Sequence, residues 1–148
     1  FELAPSASLL VVDAIVAGRV ARGERWALGR HATRNEVLVD GRLAVADALV
    51  LEPRAPGELA TRLGRFDALA VVLAVGPSFA RCASALTAAA EELPAAPGAP
   101  VRAAASPVPG GVLLRCAAAT PELLAEFVRR AIAPAADALG AGPLPHHW

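Results

Sequence analysis

The chain has 148 residues, and its formal net charge is zero because 14 arginines balance 14 acidic side chains. Since the arginines are spread among the acidic residues, composition excludes the concentrated basic face that nucleic-acid binders present. Apolar residues make up 55% of the chain, yet the apolar runs fall far short of the roughly 20 residues that span a bilayer, which excludes a transmembrane helix.

Short apolar runs separated by polar turns predict consecutive strands in the first third of the sequence, at residues 9–12, 26–28, 37–39 and 43–51. Asp40 and Gly41 lie between alternating apolar positions, which is typical of a two-residue type I′ hairpin turn. Gly18 and Gly23 interrupt the earlier strands and predict a kinked connection over residues 18–24. We expect a meandering antiparallel sheet.

The middle of the chain changes from strand to helix patterns. Residues 58–64 predict a short helical turn, and Ala68–Val75 predicts a strand that is covered on both faces, because its apolar residues do not alternate with polar ones. A helical stripe over residues 79–93 then predicts the first long helix. We expect Ser78 to cap this helix and Pro94 to end it.

The last third combines a second hairpin with a second long helix. Residues 101–105 and 111–118 predict the two strands of the hairpin. Thr120, Pro121 and Glu122 are typical of a helix start, with a hydroxyl cap, a proline in the first turn and an acid near the helix N-terminus. We expect Arg129 and Arg130 to face outward, followed by a kink at residue 134, a helix end at residue 140 and an irregular tail over residues 142–148.

The chain is therefore predicted to be α+β and a single domain over residues 1–148, strand-rich over 1–75 and helix-containing over 76–148. Cys82 and Cys116 lie too far apart for a Cys-x-x-Cys pair, so we expect two buried, reduced thiols. Glu2 and Asp13 occupy the segment where a signal peptide would be basic, which predicts a cytoplasmic protein.

The order of several short motifs resembles the central signature of the UreD (also called UreH) family of urease accessory proteins. These motifs are Asp13, Gly18-Arg19, Gly23-Glu24, Trp26, Asp40-Gly41, Leu43 and Asp47. The C-terminal half of that family is similar to three further segments: residues 66–69, the Gly110-Gly111 turn with residues 113–115, and residues 143–148. The family's N-terminal region would lie before Phe1. His146 and His147 depart from the family pattern, in which an arginine stands between the last proline and the tryptophan.

The resemblance implies a β-solenoid-like stack of strands with two helices packed on one side. It also implies a non-enzymatic scaffold that binds apo-urease and the accessory protein UreF, through which the GTPase UreG brings nickel. GTP hydrolysis would take place on UreG. We therefore expect no tightly bound cofactor in this chain, nickel in transit, and neither nucleic acid nor membrane as a partner.

Six residues are candidates for partner binding or for lining a nickel conduit: Asp13, Arg19, Glu24, Trp26, Asp47 and Arg115. Each also has a structural interpretation. The three acids could be solvated or paired with arginines, the two arginines could pair internally with Asp13 or Glu24, and Trp26 could be a packing residue. The chain has three histidines, His31, His146 and His147, and we expect all three to be solvated at the protein surface. We therefore assign no metal site.

The catalytic motifs Gly-x-Ser-x-Gly, Gly-Lys-Ser/Thr and His-Glu-x-x-His are absent from the sequence, which leaves an enzyme without recognisable machinery. Two alternatives to the scaffold remain. The first is an autonomous β-rich domain that holds a small ligand between its sheet and its helices. The second is a hydrolase whose site combines Asp13, Glu24 and a histidine.

Overall fold

The computed structural model describes residues 1–140, in which seven strands form two sheets and the last three helices cover one of them. The strands are β1 (Glu2–Leu3), β2 (Leu9–Val16), β3 (His31–Val39), β4 (Arg42–Leu51), β5 (Ala68–Val75), β6 (Val101–Val108) and β7 (Gly111–Ala118). The helices are α1 (Glu58–Leu63), α2 (Ala80–Glu91), α3 (Pro121–Ala131) and α4 (Pro134–Ala138). The predicted α+β class, with two long helices in the second half, is confirmed.

Two antiparallel hairpins organise the sheets. The small sheet has the order β1–β3–β4, and Asp40 and Gly41 join β3 to β4 with φ angles of 51° and 70°. Both angles are positive, as a type I′ turn requires, so the predicted hairpin is confirmed. The large sheet has the order β2–β5–β7–β6, and β6 and β7 form the second predicted hairpin. In that sheet β5 lies between two neighbours and is buried along nearly its whole length.

The prediction of a strand over residues 26–28 is wrong. Trp26 has φ of 54° and follows a 3₁₀ turn at Val20–Arg22, and its amide donates a hydrogen bond to the Ala17 carbonyl at 2.7 Å. Because this loop separates β2 from β3, the two strands belong to different sheets. The sheet partner of β2 is β5, which lies more than 50 residues further along the chain.

The long helices begin and end close to the predicted positions. Thr120 caps α3, since its hydroxyl oxygen accepts a hydrogen bond from the Leu123 amide at 3.3 Å. Ser78 does not cap α2. It lies in a 3₁₀ turn at Pro77–Phe79 where its own amide donates to Ser8 Oγ at 3.0 Å, and α2 begins two residues later. Arg130 is exposed as predicted, but Arg129 is half-buried, and its Nε atom is fully covered.

Three apolar clusters hold these layers together. The largest lies between the large sheet and the helices and includes Val72, Leu86 and Leu114, which are fully buried. A second cluster lies between the two sheets, where Val37 and Val45 contact β5 and β7. A third cluster surrounds Trp26. Each fully buried side chain of this size contributes about 1.5–3 kcal/mol to the stability of the fold. The positions of the first two clusters give the order of the layers: helices, large sheet, small sheet.

Across residues 1–140, none of the helices has the length and apolar character needed to cross a bilayer. The predicted irregular tail, with His146, His147 and Trp148, lies outside the described residues.

Candidate functional site

The inner face of the small sheet changes from apolar to polar along its length. Val37 pairs with Val45 and packs on the large sheet. Because side chains alternate along a strand, the next pairs on this face are Asn35 with Asp47, Thr33 with Leu49, and His31 with Leu51. The two sheets are therefore in apolar contact near the Asp40-Gly41 turn. Between them a cleft with a mostly apolar lining and a few polar side chains opens towards the far end of β3.

The opposite wall of the cleft comes from the large sheet. Asp13 on β2 pairs with Val71 on β5, and Val71 pairs with Arg115 on β7. With neighbouring strands about 4.8 Å apart, the backbones of Asp13 and Arg115 lie about 10 Å from each other on one face. The cleft encloses a cavity of about 360 Å³. Its apolar lining includes Ile15, Leu49, Leu69 and Val71, and its polar lining consists of Asp13, His31, Arg102 and Arg115.

An ion pair joins the two sheets at this cleft. Arg115 Nη2 donates a hydrogen bond to Asp47 Oδ1. The Asp47 side chain is 1% exposed, whereas that of Arg115 is 55% exposed. The second carboxylate oxygen of Asp47 and the hydroxyl of Thr33 are buried, and neither has a hydrogen-bond partner within residues 1–140. Because burying such an atom unpaired costs about 1–3 kcal/mol, both atoms are candidates for contact with a donor or a cation.

Three of the six candidate residues lie elsewhere. Arg19 and Glu24 pair with each other on the surface through two hydrogen bonds of 2.6 and 2.9 Å, in the connection between β2 and β3. Arg19 therefore pairs within the chain, which is the structural alternative considered for it above, and Glu24 lies outside the cleft. Trp26 is 2% exposed in the third cluster, and its Nε1 donates to the Phe66 carbonyl at 2.9 Å, as in the packing interpretation.

A family model described as UreD urease accessory protein matches residues 1–148. The chain belongs to the UreD family. It is 46% identical over 143 residues to the urease accessory protein UreD of Anaeromyxobacter sp. (strain Fw109-5), covering 97% of this chain and 48% of that relative. It is likewise 46% identical over 147 residues to UreD of Sorangium cellulosum (strain So ce56), covering 99% of this chain and 46% of that relative. Urease accessory protein D of Oryza sativa subsp. indica is 29% identical over 77 residues, which are 52% of this chain and 25% of that relative. The chain spans about half the length of the two 46% identical relatives.

Within this UreD chain, sequence reasoning missed several residues of the cleft. Thr33 and Asn35 share the inner face of β3 with His31, which lines the cavity, and none of the three is predicted from the sequence to lie there. The signal was available: polar residues at positions 31, 33 and 35 share one face of the strand with the core residue Val37. Arg102 gave no such signal, because its place in the cleft depends on the pairing of β6 with β7.

Arg25 is a further missed residue, with a structural role beside Trp26. Its guanidinium donates to the Asp67 carboxylate and to the carbonyls of Gly64 and Phe66. These bonds hold the loop before β5 against the loop before β3. Since a guanidinium carries five donors in a fixed plane, one arginine replaces several backbone partners here.

The described part of this UreD chain, residues 1–140, holds no group of three or more His, Cys, Asp or Glu side chains placed to share a metal ion. Both cysteines are free and buried. Burial raises the pKa of the Cys116 thiol to about 12 and also raises the pKa of Cys82. Both groups are therefore protonated thiols at neutral pH, as predicted for packing residues.

Proposed function

We propose that this chain is part of a scaffold for GTP-dependent nickel insertion into apo-urease. In this proposal it binds urease directly and binds UreF, which in turn holds the GTPase UreG; the chain itself catalyses no step. The observation that carries the proposal is the match over the whole chain to proteins named urease accessory protein UreD.

The outer face of the small sheet supports a docking role. The outward side chains at Ala32, Ala46, Ala48 and Val50 are small or apolar and exposed, and the Val50 side chain is 53% exposed. Flat, apolar sheet faces of this kind are typical of protein interaction surfaces. The exposed ion pair between Arg34 and Glu36 lies on the same face, where these residues are the cross-strand neighbours of Ala48 and Ala46, and adds a charged contact. We assign this face to a protein partner.

The cleft between the sheets supports a passage for nickel. Nickel in transit is cargo, so a conduit needs contacts that exchange quickly, whereas a closed set of thiolates would retain the ion. Asp13 and His31 line the cavity and provide separate oxygen and imidazole donors, and the buried carboxylate of Asp47 pairs with Arg115, which also lines it. Asp47 Oδ2 is buried behind this ion pair and has no hydrogen-bond partner among the described residues, so loss of the pair would leave a second carboxylate at the cleft.

The test has two parts. The first is a pull-down in which the purified chain is mixed with apo-urease and with UreF. Recovery of both supports the scaffold, and recovery of neither contradicts it. The second part compares urease activation by the wild-type chain and by Asp13→Asn and Asp47→Asn variants. A matched control is Asp137→Asn, because Asp137 is an exposed acid on α4, on the helix side of the large sheet.

In that second part we expect the two cleft variants to slow activation while binding urease and UreF as the wild type does. The Asp137→Asn variant should activate normally. Equal activation by all variants would contradict the nickel passage and leave the scaffold standing, because partner binding is measured separately.

The cavity also favours a second candidate function, a domain that binds a small ligand without an obligatory partner. The alternative from sequence placed the ligand between sheet and helices, whereas the 360 Å³ cavity lies between the two sheets. Arg102 and Arg115 at its border suit a small carboxylate. A thermal shift with small carboxylates in the absence of any partner protein, lost in Arg115→Ala, would favour this function over the scaffold.

A further inference from the structure

The two edges of the large sheet differ in their backbone chemistry. Ala17 N donates to the Asp67 carbonyl at 2.7 Å, which fixes the alternation of bonded pairs between β2 and β5. The odd residues of β2 therefore bond to β5. The backbone N–H and C=O groups of the even residues point out of the sheet; these residues are Leu10, Val12, Ala14 and Val16.

The edge strand β6 is blocked against further pairing. Ala119 N donates to the Pro100 carbonyl at 2.8 Å, so the even positions of β6 bond to β7 and position 107 points outward. That position is Pro107, which has no N–H to offer. By contrast β2 contains no proline, and Asp13 is its one charged residue. A long apolar edge without such protection is a template for strand addition.

Among residues 1–140 no further strand pairs with the outer edge of β2, and a groove runs beside this open edge on the helix side. It has a volume of about 120 Å³ and is lined by Val12, Val16, Leu124 and Val128, among others. Helix α3 leaves Val16 48% exposed, although this residue lies on the face that the helices cover elsewhere. Arg129 borders the groove, and its Nε is buried without a hydrogen-bond partner in the described part of the chain. A segment that fits this groove would therefore carry apolar side chains and one hydrogen-bond acceptor for Arg129.

The other face of the open edge needs a cation. Asp13 points into the cleft between the sheets and has no ion-pair partner among residues 1–140, where Arg115 pairs with Asp47. A residue on an added strand would lie about 5 Å from Asp13 across the ladder. An arginine or lysine at that position would complement its charge.

We propose that the β2 edge and the α3 groove bind a further β-strand, supplied by the portion of the UreD polypeptide that lies outside the match in the longer relatives. The relatives contain such a portion, since this chain covers 46–48% of the two 46% identical proteins. The strand carries apolar residues towards the groove, an acceptor side chain facing Arg129 and a basic residue beside Asp13. This interface is separate from the outer face of the small sheet.

A second copy of the chain fits this edge poorly. Two β2 strands pairing antiparallel through their even residues would place the two Asp13 carboxylates directly opposite or diagonal to one another on the same face. Like charges at these positions destabilise a sheet. Neither Arg129 would gain an acceptor side chain, because β2 presents apolar residues to the groove.

The test is amide hydrogen exchange, measured by NMR on the 148-residue chain and on a chimera. In the chimera this chain replaces the matched portion of the Anaeromyxobacter relative. We expect exchange at Leu10, Val12, Ala14 and Val16 to slow by about 100-fold or more in the chimera, because opening would then require the strand to leave. Equal exchange rates in the two proteins would overturn the proposal. Protection that appears in the chain alone and grows with its concentration would assign the edge to a second copy and also overturn it.

Matched variants separate the edge from general destabilisation. Val16→Lys places a charge in the groove, and Val20→Lys introduces the same charge at a similarly exposed residue, 44% against 48%, that lies outside both the edge and the groove. Ala14→Pro removes an outward amide from β2, and Ala105→Pro removes the equivalent amide from β6. We expect Val16→Lys and Ala14→Pro to remove the protection in the chimera, whereas the two controls keep it. Protection that survives both edge variants would contradict the assignment.

Discussion

Arg115 and Asp47 form an ion pair whose two members lie in different environments: the Asp47 side chain is 1% exposed and the Arg115 side chain is 55% exposed. The pair also joins the two sheets, since Asp47 is on β4 and Arg115 is on β7. A buried carboxylate depends on its partner more than the solvated arginine does, because the arginine keeps its hydration when the pair is broken.

This asymmetry predicts unequal effects of removing each partner. Arg115→Ala should lower the free energy of unfolding by about 1–3 kcal/mol, an effect reduced from that of a fully buried pair by the exposure of Arg115. Asp47→Asn should cost less, because it removes the buried charge as well. The double variant should be more stable than Arg115→Ala alone. Urea denaturation followed by tryptophan fluorescence measures all three, and equal losses in the single variants would contradict the prediction.

The indole of Trp26 is predicted to contribute through both its volume and its hydrogen bond. Trp26→Phe loses the bond from Nε1 to the Phe66 carbonyl and should cost about 1–2 kcal/mol. Trp26→Ala also leaves a cavity among Leu51 and Leu59 and should cost about 3–5 kcal/mol. Thermal unfolding followed by circular dichroism tests the order. A phenylalanine variant as unstable as the alanine variant would show that the hydrogen bond dominates.

The hairpin turn predicts a position-dependent cost of replacing glycine. Gly41 has φ of 70°, and a Cβ added there would meet open space, so Gly41→Ala should cost about 1 kcal/mol through backbone strain alone. Gly29→Ala is the matched control, since Gly29 also has open space but no positive φ. Gly29→Ala should change the free energy of unfolding by less than about half of the change caused by Gly41→Ala. Chemical denaturation of both variants measures the strain, and equal losses at the two positions would contradict the prediction.

The N-terminus of α3 predicts a dependence on acid pH. The pKa of Glu122 is lowered from its usual 4.5 by a hydrogen bond from its own backbone amide and by the hydroxyl of Thr120. A lowered pKa in the folded state means that this stabilisation is present above pH 4.5 and is lost as the pH falls through the folded value. Glu122→Gln should therefore reduce stability at about pH 7 and have little effect at about pH 3. Denaturation curves of the wild type and the variant, recorded at the two pH values, measure this, and an equal loss of stability at both would contradict the prediction.

Alkaline pH should destabilise the fold through its thiols. Burial raises the pKa of Cys116 from 9.0 to about 12, so the folded state keeps a proton that the unfolded state releases. The contribution is complete below pH 9 and is lost as the pH rises towards 12. Since the chain has neither tyrosine nor lysine, few other side chains titrate in this window. Replacing Cys116 by alanine should flatten the fall in stability between about pH 9 and 11, and an unchanged slope would contradict this account.

Local sequence signals predicted the elements whose hydrogen bonds are local. The Asp40-Gly41 turn and the Thr120 cap each depend on residues within three positions, and both are present as expected. The failures involve distant partners. Ser78 does not cap α2 because it lies inside a 3₁₀ turn, where its amide donates to Ser8, 70 residues away, and α2 begins only at Ala80. Residues 26–28 form a short apolar run, but the bond from Trp26 N to Ala17 O closes a loop there instead of a strand.

The sequence predicts some of the residues of the candidate cleft, but it does not predict that they lie close together. Asp13, Asp47 and Arg115 come from three strands of two sheets, and the pairing of β2 with β5 that aligns two of them spans most of the first half of the chain. Sequence order gave no means of separating these residues from Arg19 and Glu24, which pair locally five positions apart. The alternation of polar residues along β3 was a usable signal for the remaining wall.

Pro107 has a consequence for assembly. If β2 of one molecule were to pair with β6 of the next, each addition would create the same two ends again, and head-to-tail growth of this type produces filaments. The proline removes one bond from that contact at every step. A sheet with one closed margin and one receptive margin takes up a limited number of strands and then stops, so a chain this rich in apolar residues can keep a defined stoichiometry.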